Sequence, residues 1–434
     1  MKSIVIIATL DTKGTEALYL KRLFEDGEFQ VVLIDVSCKP HEMPGADISN
    51  RAVAEAGGFK LSSEGLKRET AEKMAEATSA ILARLYSENR LDGVIGVGGS
   101  VGAGISTTAM KVLPFGVPKL CVTTVQNTAP LVGGKDIAVL YPVTDLSNGE
   151  RLNRYEQIIL SNAAGAMMGM VKIRKPKTDT GRPLILASMF GSTTPCVAHA
   201  KKILEDHGYE VVVFHAQGSG GRAMEEFIST EKVSGVLDIT THELVDEVAG
   251  GALSAGPERL EAAGKAGIPQ LICPGALDII VFFGFSSIPP QYRRRRFYQH
   301  TPYIVNMRAS TREMTLLARI MADKLNKARG PTTIAIPMRG WSEYDVEGGI
   351  TCVSFKGEPL EERWFDPASN EAFISALQKR LDKHNPNLKL IKVDAHINDP
   401  VFASTIAQEI IELIELRQRS AHVKLHQTLT SEES

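Results

Sequence analysis

Ile4-Val5-Ile6-Ile7-Ala8, the loop Thr9-Leu10-Asp11-Thr12-Lys13-Gly14, a helical stretch ending Leu23-Phe24-Glu25-Asp26-Gly27, and the apolar run Val31-Val32-Leu33-Ile34-Asp35 decide the fold. Short apolar runs on either side of a helix-length segment read as strand, helix, strand, the βαβ unit of a parallel sheet. The same order returns in the second half as Leu184-Ile185-Leu186-Ala187, a loop, Ile203-Leu204-Glu205-Asp206-His207-Gly208 and Val211-Val212-Val213-Phe214-His215. A third element matches as well, Asp92-Gly93-Val94-Ile95-Gly96 against Ser234-Gly235-Val236-Leu237-Asp238. The sequence therefore predicts an α/β protein of two Rossmann-like, doubly wound parallel-sheet domains. Either duplication or the common patterning of any two doubly wound domains accounts for the repeat.

Outward from these anchors, further strands are expected at 93–97, 120–125 and 137–143, with helical segments at 65–90 and 150–170. The polar stretch 172–183, broken by Pro176, Gly181 and Pro183, reads as a linker. It divides a nucleotide-binding domain at 1–175 from a second domain at 183–420, followed by a frayed tail at 421–434. Within the second domain the pattern predicts strands at 184–189, 211–214, 333–337 and 388–394, and helices at 194–206 and 399–418.

The whole-chain numbers set limits. At 434 residues, 43% hydrophobic and 23% charged, the chain has ample material for two cores. With 49 Lys and Arg against 51 Asp and Glu the formal charge is -2, so no general affinity for nucleic acid is expected. No run approaches the roughly 18–20 apolar residues that span a bilayer, so no membrane partner is expected. The five cysteines, with no C-x-x-C pair, fit a reducing cytoplasmic location.

Open α/β sheets bind ligands at the carboxyl ends of their strands. In the first domain the loop holding Asp11, Thr12, Lys13 and Gly14 offers a hydroxyl, charges and helix-start amides for an anion. Gly96-Val97-Gly98-Gly99-Ser100-Val101-Gly102-Ala103-Gly104 would let backbone approach a phosphate, but it is neither a Walker A loop nor G-x-G-x-x-G. A tight turn that merely packs a helix on the sheet is the competing reading, and Asp11 and Lys13 could equally be a solvated ion pair. In the second domain Gly218-Ser219-Gly220-Gly221 repeats the glycine turn. Thr193 and Thr194, with Gly220, Gly221 and Arg308, are substrate-binding candidates. His215, Asp238, Thr241, Asp246 and Asp278 are catalytic candidates expected to converge with His242 and Glu243 on one crevice. Helix caps and hydrogen-bonded turns are the alternative. A metal stays open, because His242-Glu243 lacks the second His of H-E-x-x-H. Arg293-Arg294-Arg295-Arg296 reads as a solvated or oligomer-facing loop before it reads as an anion site, and Ser310 and Glu313 stand at capping-box spacing.

These landmarks together resemble the ATP-binding-domain proteins named after the tomato mosaic virus resistance protein, known in bacteria as an uncharacterised protein family. The resemblance rests on Ala8-Thr9-Leu10-Asp11-Thr12-Lys13-Gly14, Gly98-Gly99-Ser100, Gly116-Val117-Pro118-Lys119, Lys135-Asp136-Ile137, Thr193-Thr194-Pro195-Cys196, Asp238-Ile239-Thr240-Thr241 and Pro274-Gly275-Ala276-Leu277-Asp278. It implies an ATP site, with or without Mg2+, in the first domain, and a homodimer. Carried over by motif, Asp11, Thr12, Lys13 and Gly14 with Gly98, Gly99, Ser100 and Gly102 would hold the phosphates. Three functions follow as expectations. The first is a cytoplasmic ATP- or nucleotide-binding protein that binds or transforms a small anionic metabolite. The second is a non-catalytic binding or regulatory module with an ATP-stabilised dimer. The third is a metal-dependent hydrolase or isomerase of sugar acids.

Overall fold

The computed structural model describes residues 1–42, 44–64, 67–146, 151–173 and 181–432, with side chains described up to residue 419. The chain divides into two units, Met1–Thr178 and Asp179–Ser434. Most of the expected linker, residues 174–180, lies outside the described residues.

The first unit runs β1 (Ser3–Ala8), α1 (Leu10–Asp26), β2 (Gln30–Asp35), α2 (Asn50–Ala56), α3 (Lys67–Ser87), β3 (Gly93–Val97), α4 (Ser100–Met110), β4 (Lys119–Val122), α5 (Ala129–Val132), β5 (Ala138–Leu140) and α6 (Arg154–Lys172). Its five strands are parallel in the order β2-β1-β3-β4-β5. Successive side chains of a strand face opposite ways. Val5, Ile7 and Val94 accordingly pack with α3 and α4, while Ile4, Ile6 and Ile95 pack with α1 and α6. Burial on both faces is why these strands are continuous apolar runs rather than alternating ones.

Two of the motif blocks prove structural. The buried Lys119 ammonium donates to the carbonyls of Pro114 and Val117, both at 2.9 Å, and pairs with Asp136 at 2.8 Å. The other Asp136 oxygen accepts from the Gly116 amide at 2.7 Å. Lys119 opens β4, so this clamp sits at the amino end of the strand, opposite the ligand-binding edge.

The second unit has a six-stranded parallel sheet of β6 (Leu184–Met189), β7 (Glu210–His215), β8 (Val233–Thr240), β9 (Gln270–Gly275), β13 (Thr332–Pro337) and β16 (Leu388–Val393), ordered β16-β13-β9-β8-β6-β7. Counting only the strands of each parallel sheet, both run second, first, third, fourth, fifth, the shared plan expected from the repeat, and the second sheet adds a sixth. Helices cover both faces: α7 (Thr194–Asp206) and α13 (Pro400–Glu432) on one, and α9 (Glu243–Ala249), α11 (Thr311–Leu325) and α12 (Pro367–Arg380) on the other. The helical backbone of α13 continues through the stretch expected to be a frayed tail. Two shorter helices, α8 (Ser219–Thr230) and α10 (Ala262–Ala266), pack against each other beside β6 and β7.

An antiparallel sheet, in the order β10-β12-β11-β14-β15, is built from two insertions: β10 (Ile279–Phe282), β11 (Phe297–Thr301) and β12 (Ile304–Arg308) between β9 and β13, and β14 (Thr351–Val353) and β15 (Pro359–Arg363) between β13 and β16. It was not foreseen. Its presence corrects two expectations. Arg308 is buried, donating to the carbonyls of Trp364 (3.0 Å), Ala309 (3.2 Å) and Asp366 (3.4 Å) and to Asn370 Oδ1 (3.2 Å), so it clamps the insertion and is not presented to a substrate. Within the arginine run, Arg295 pairs with Glu313 at 2.9 Å and Arg296 with Asp366 at 2.8 Å, so two of the four cations hold local structure rather than face solvent alone. The expected capping box is present, with the Ser310 hydroxyl accepting from the Glu313 amide and the Glu313 carboxylate accepting from the Ser310 amide.

Candidate functional site

The strand order of the first unit reverses between β1 and β3, so the ligand-binding edge lies where the loops before α1 and α4 diverge. The two helix starts differ in a way the sequence conceals. At α1 the amides are already used: Leu10 donates to Asp35 Oδ1 (3.1 Å), Asp11 to Ser37 Oγ (3.1 Å), and Thr12 and Lys13 to the Thr9 carbonyl (3.0 and 2.8 Å). The expectation that this helix start holds an anion is therefore corrected. Asp35, at the end of β2 where dinucleotide-binding folds keep a ribose-binding acid, is spent the same way. It is buried, accepts from Ser37 as well, and faces His41 Nε2 at 3.2 Å.

At α4 the first amide with an acceptor is Ala103, which donates to the Gly99 carbonyl at 2.8 Å. Among the described residues nothing accepts from the amides of Ser100, Val101 and Gly102, the unsatisfied donors that begin any helix. Here the positive end of the helix dipole is open. The glycines divide the labour. A Cβ at Gly98 would stand 2.7 Å from Gly102 Cα, and one at Gly96 2.4 Å from Ser106 Oγ, so both let α4 sit close on the sheet. A Cβ at Gly99 would meet nothing within 4 Å, so that face is open to a ligand.

A cavity of about 220 Å³ lies at this edge, lined by Thr9, Asp11, Thr12 and Val101 together with Cys38, Lys39, Ser62, Ser63, Glu64, Lys67 and Thr70. Thr9 and Thr12 join hydroxyls at 2.9 Å across its floor. Burial pushes the Cys38 thiol above its ordinary value, and Lys67 opposes that shift. The cations that line the cavity are Lys39 and Lys67. Lys13 is corrected: its ammonium donates to the Leu146 carbonyl and lies 3.9 Å from Glu16, and it does not line the cavity. Gly14 is buried inside α1 and does not line it either. Sequence reasoning missed Lys39 and Lys67. Lys39 follows the end of β2 and the strand-end rule points to it, whereas nothing in the sequence links residues 62–67 to this edge.

The second unit answers the same design differently. Its glycine turn is filled by the chain itself, because Glu243 Oε1 accepts from the amides of Gly218 (2.6 Å) and Gly221 (3.0 Å). Gly220 is a packing glycine, since a Cβ there would fall 1.8 Å from the His215 carbonyl oxygen. The buried Arg259 ties Glu243 (2.7 Å) to Asp238 (2.5 Å) and Glu225 (3.3 Å), and Asp238 also accepts from Ser188 Oγ at 2.6 Å. Asp246 is buried and accepts from the amides of Val281 (2.9 Å) and Leu253 (2.8 Å). Asp278 accepts from Ser342 Oγ (2.6 Å) and Trp364 Nε1 (2.7 Å) beneath the inserted sheet. Burial, followed by the neighbouring Asp345, pushes the Asp278 carboxyl above its ordinary range. Thr241 Oγ1 donates to the Cys273 carbonyl (2.9 Å), and Thr193 and Thr240 join hydroxyls at 2.7 Å, while Thr194 is exposed at the start of α7.

The expected convergence on one crevice therefore resolves into three separate buried clusters, in which Asp278 Oδ1 and His242 Nε2 have no hydrogen-bond partner among the described residues. His215 alone of the catalytic candidates is exposed, donating from Nδ1 to the Met189 carbonyl at 3.1 Å and stacking on Phe190, whose other neighbour is His242 at 4.5 Å between ring centroids. Burial lowers the pKa of His242, which keeps this imidazole neutral. Among the described residues no group of three or more His, Cys, Asp or Glu side chains is placed to hold a metal ion, and no helix is long and apolar enough to cross a membrane.

Fold and site together define a class, a two-unit protein of doubly wound α/β sheets with unengaged amides at the start of α4 in the first unit and a glycine turn closed by Glu243 in the second. The chain belongs to the uncharacterised protein family UPF0261, whose N-terminal domain matches residues 2–176 and whose C-terminal domain matches residues 182–414. A UPF0261 protein of Clostridium tetani is 38% identical over 95% of this chain and 99% of its own length. The ToMV resistance protein Tm-1(GCR237) of Solanum lycopersicum is 33% identical over 81% of this chain and 45% of that protein. Among solved structures, a UDP-N-acetylglucosamine 2-epimerase covers 63% of this chain and 79% of its own at 11% identity and a TM-score of 0.24, a likeness too loose to carry a ligand or a reaction across.

Proposed function

We propose that the first unit binds the phosphate groups of a small ligand, a nucleotide such as ATP, at the start of α4. One observation carries the reading: α4 begins with the unengaged amides of Ser100, Val101 and Gly102, and Val101 lines a cavity that also presents Lys39 and Lys67, whereas the glycine turn of the second unit, after β7, is closed by Glu243. Backbone donors, a helix dipole and lysines are the usual means of holding phosphate. Asp11 and Glu64 line the same cavity, and their carboxylates suit a magnesium ion carried in with the phosphates.

A binding and regulatory role is favoured over turnover in the second unit. Asp238, Asp246 and Asp278 are each buried and accept hydrogen bonds from neighbouring protein donors, so none of them is presented to a substrate at the surface of this unit. Dimerisation and a cytoplasmic location belong to the same proposal.

Calorimetric titration of ATP, ADP and inorganic tripolyphosphate, with and without magnesium, tests the site in wild type and in Gly99→Asp. Position 99 has open space and φ of −73°, and aspartate is a favoured N-cap, so the variant should fold while its carboxylate takes the α4 amides. Binding by wild type and at least about a tenfold loss in Gly99→Asp is the expected result. No binding by wild type would overturn the proposal.

A further inference from the structure

We infer that the second unit binds a small neutral polyhydroxyl ligand, a sugar or sugar alcohol, at the buried junction between the carboxyl edge of its parallel sheet and the inserted antiparallel sheet. This site is independent of the phosphate site of the first unit. Among the described residues of the second unit, four buried side-chain atoms have no hydrogen-bond partner: Ser192 Oγ, His242 Nε2, Asp278 Oδ1 and Asn306 Oδ1. Each of these residues is at most 3% exposed. Ser192 follows β6, His242 follows β8 and Asp278 follows β9, three strands that neighbour one another in the sheet, and Asn306 belongs to β12. A folded interior leaves few polar atoms unmatched, and each one calls for a partner from outside the chain.

Three consecutive residues after β13 tie these segments together. Ser342 Oγ donates to Asp278 Oδ2 (2.6 Å), the Glu343 amide donates to the Ser192 carbonyl (3.1 Å), and the Tyr344 hydroxyl meets His300 Nδ1 at 3.0 Å. Adjacent Cα atoms are about 3.8 Å apart, so one short loop touches Ser192, Asp278 and the inserted sheet. Asn306 stands opposite Val281 and Tyr298 in the antiparallel ladder, so its side chain shares their face of that sheet. Tyr298 lies 5.1 Å from Tyr344 between ring centroids. Phe190 packs against the cluster that holds Val281 and Tyr344, and it stacks on His242 at 4.5 Å. The four atoms thus adjoin one group of aromatic rings, with the exposed imidazoles of His215 and His300 at its rim.

The chemistry of the four atoms defines the ligand. Nδ1 of the neutral His242 faces the Ile279 carbonyl at 3.2 Å and so carries the proton, which makes Nε2 an acceptor. Asn306 Oδ1 is an acceptor too, and the Ser192 hydroxyl can donate or accept. Asp278 Oδ2 already accepts from Ser342 and from Trp364 Nε1 at 2.7 Å; its Oδ1 accepts when ionised and donates when burial keeps the carboxyl protonated. An anion only accepts and would oppose His242 and Asn306. An ammonium only donates and would leave a protonated Asp278 unmatched. A hydroxyl does both, and several hydroxyls on one carbon frame reach groups that different segments hold. The C–H faces of such a frame lie against aromatic walls, the usual lining of a site with a few placed polar groups.

The test is calorimetric titration of the full chain with D-glucose, D-mannitol and myo-inositol, with gluconate as the anionic control and putrescine as the amine control. Wild type is compared with Ser192→Ala and Asn306→Leu. Neither removed oxygen has a partner within the chain, so both variants should fold, which ligand-free melting checks. If Asn306→Leu fails to fold, Ser192→Ala carries the comparison. At least one of the three neutral ligands should bind wild type, with affinity falling about three- to tenfold in each folded variant, and gluconate and putrescine should bind more weakly than it does. Binding of none of the three neutral ligands would overturn the site, leaving water as the partner of the four atoms. Affinity unchanged in the folded variants would overturn the role of these residues, and tighter binding of gluconate or putrescine would overturn the ligand class.

Discussion

Glu243 occupies the turn that Gly221 helps to form: its Oε1 accepts from the Gly221 amide at 3.0 Å, and a Cβ at position 221 would fall 1.9 Å from Oε2. A methyl there must displace a buried carboxylate that also holds Arg259 at 2.7 Å. Gly221→Ala should therefore destabilise the second unit by about 3 kcal/mol, a large effect for one methyl. Urea unfolding followed by circular dichroism measures it, and a loss under about 1 kcal/mol would show that the turn can open.

Arg259 holds two buried carboxylates, and its removal is predicted to be worse than that of either partner. In Arg259→Met, Asp238 and Glu243 stay buried without their cation, and breaking such a pair from one side costs about 3–5 kcal/mol. Burial already raises the Glu243 pKa, and Arg259 works against that rise. Without the arginine the folded-state pKa climbs further, so the folded form holds the proton more tightly than the unfolded one. The deficit should narrow as pH falls toward the unfolded value of about 4.5. Unfolding midpoints of the two proteins between neutral pH and pH 4.5 read this directly, and a deficit independent of pH would argue that packing alone is lost.

The two adjacent glycines before α4 are predicted to behave oppositely. Gly98→Ala places a Cβ 2.7 Å from Gly102 Cα and forces the helix off the sheet, for about 1–3 kcal/mol. Gly99→Ala meets nothing within 4 Å at a φ of −73° and should leave stability within about 0.5 kcal/mol. Thermal melts of both variants separate the packing glycine from the ligand-facing one; equal losses would mean that the loop is purely structural.

The parallel sheets were legible because their strands are buried on both faces and so appear as unbroken apolar runs bounded by glycine, as at Gly93–Val97 and Leu184–Met189. The inserted antiparallel sheet was not. Pro359–Arg363 reads Pro-Leu-Glu-Glu-Arg, which shows no alternation, and β14 spans only Thr351–Val353. In the candidate site, Asp11 and Thr12 were legible as residues following a strand, and both line the cavity. What the sequence concealed is which polar groups are already spoken for. Asp35 and Ser37 consume the α1 amides from the next strand, and Arg259 reaches Asp238 and Glu243 from a loop with no periodic pattern. Local spacing records the presence of a donor or acceptor; only the fold pairs it.

Glu16 supplies a prediction whose sign depends on pH. Its side chain is fully buried in α1, among the described residues neither carboxylate oxygen reaches a donor on another residue, and the Lys13 ammonium stands off at 3.9 Å. Burial is the main cause that raises its pKa above the ordinary 4.5, with Glu156 and Asp145 adding to the rise and Lys13 opposing it. A carboxyl with a raised folded-state pKa binds its proton more tightly folded than unfolded. Its contribution is fully present below about pH 4.5 and is lost as pH rises through the folded value. Glu16→Gln keeps the shape and removes the charge, so it should be more stable than wild type at neutral pH, by about 1–3 kcal/mol. The advantage should shrink toward zero at pH 4, where wild type is protonated in both states. For a unit of this size each kcal/mol moves the melting temperature by about 2–4 °C, well within the reach of calorimetry at a series of pH values. If Glu16→Gln is instead less stable than wild type at neutral pH, the ionised carboxylate and Lys13, its neighbour one turn earlier in α1, attract each other strongly enough to outweigh burial.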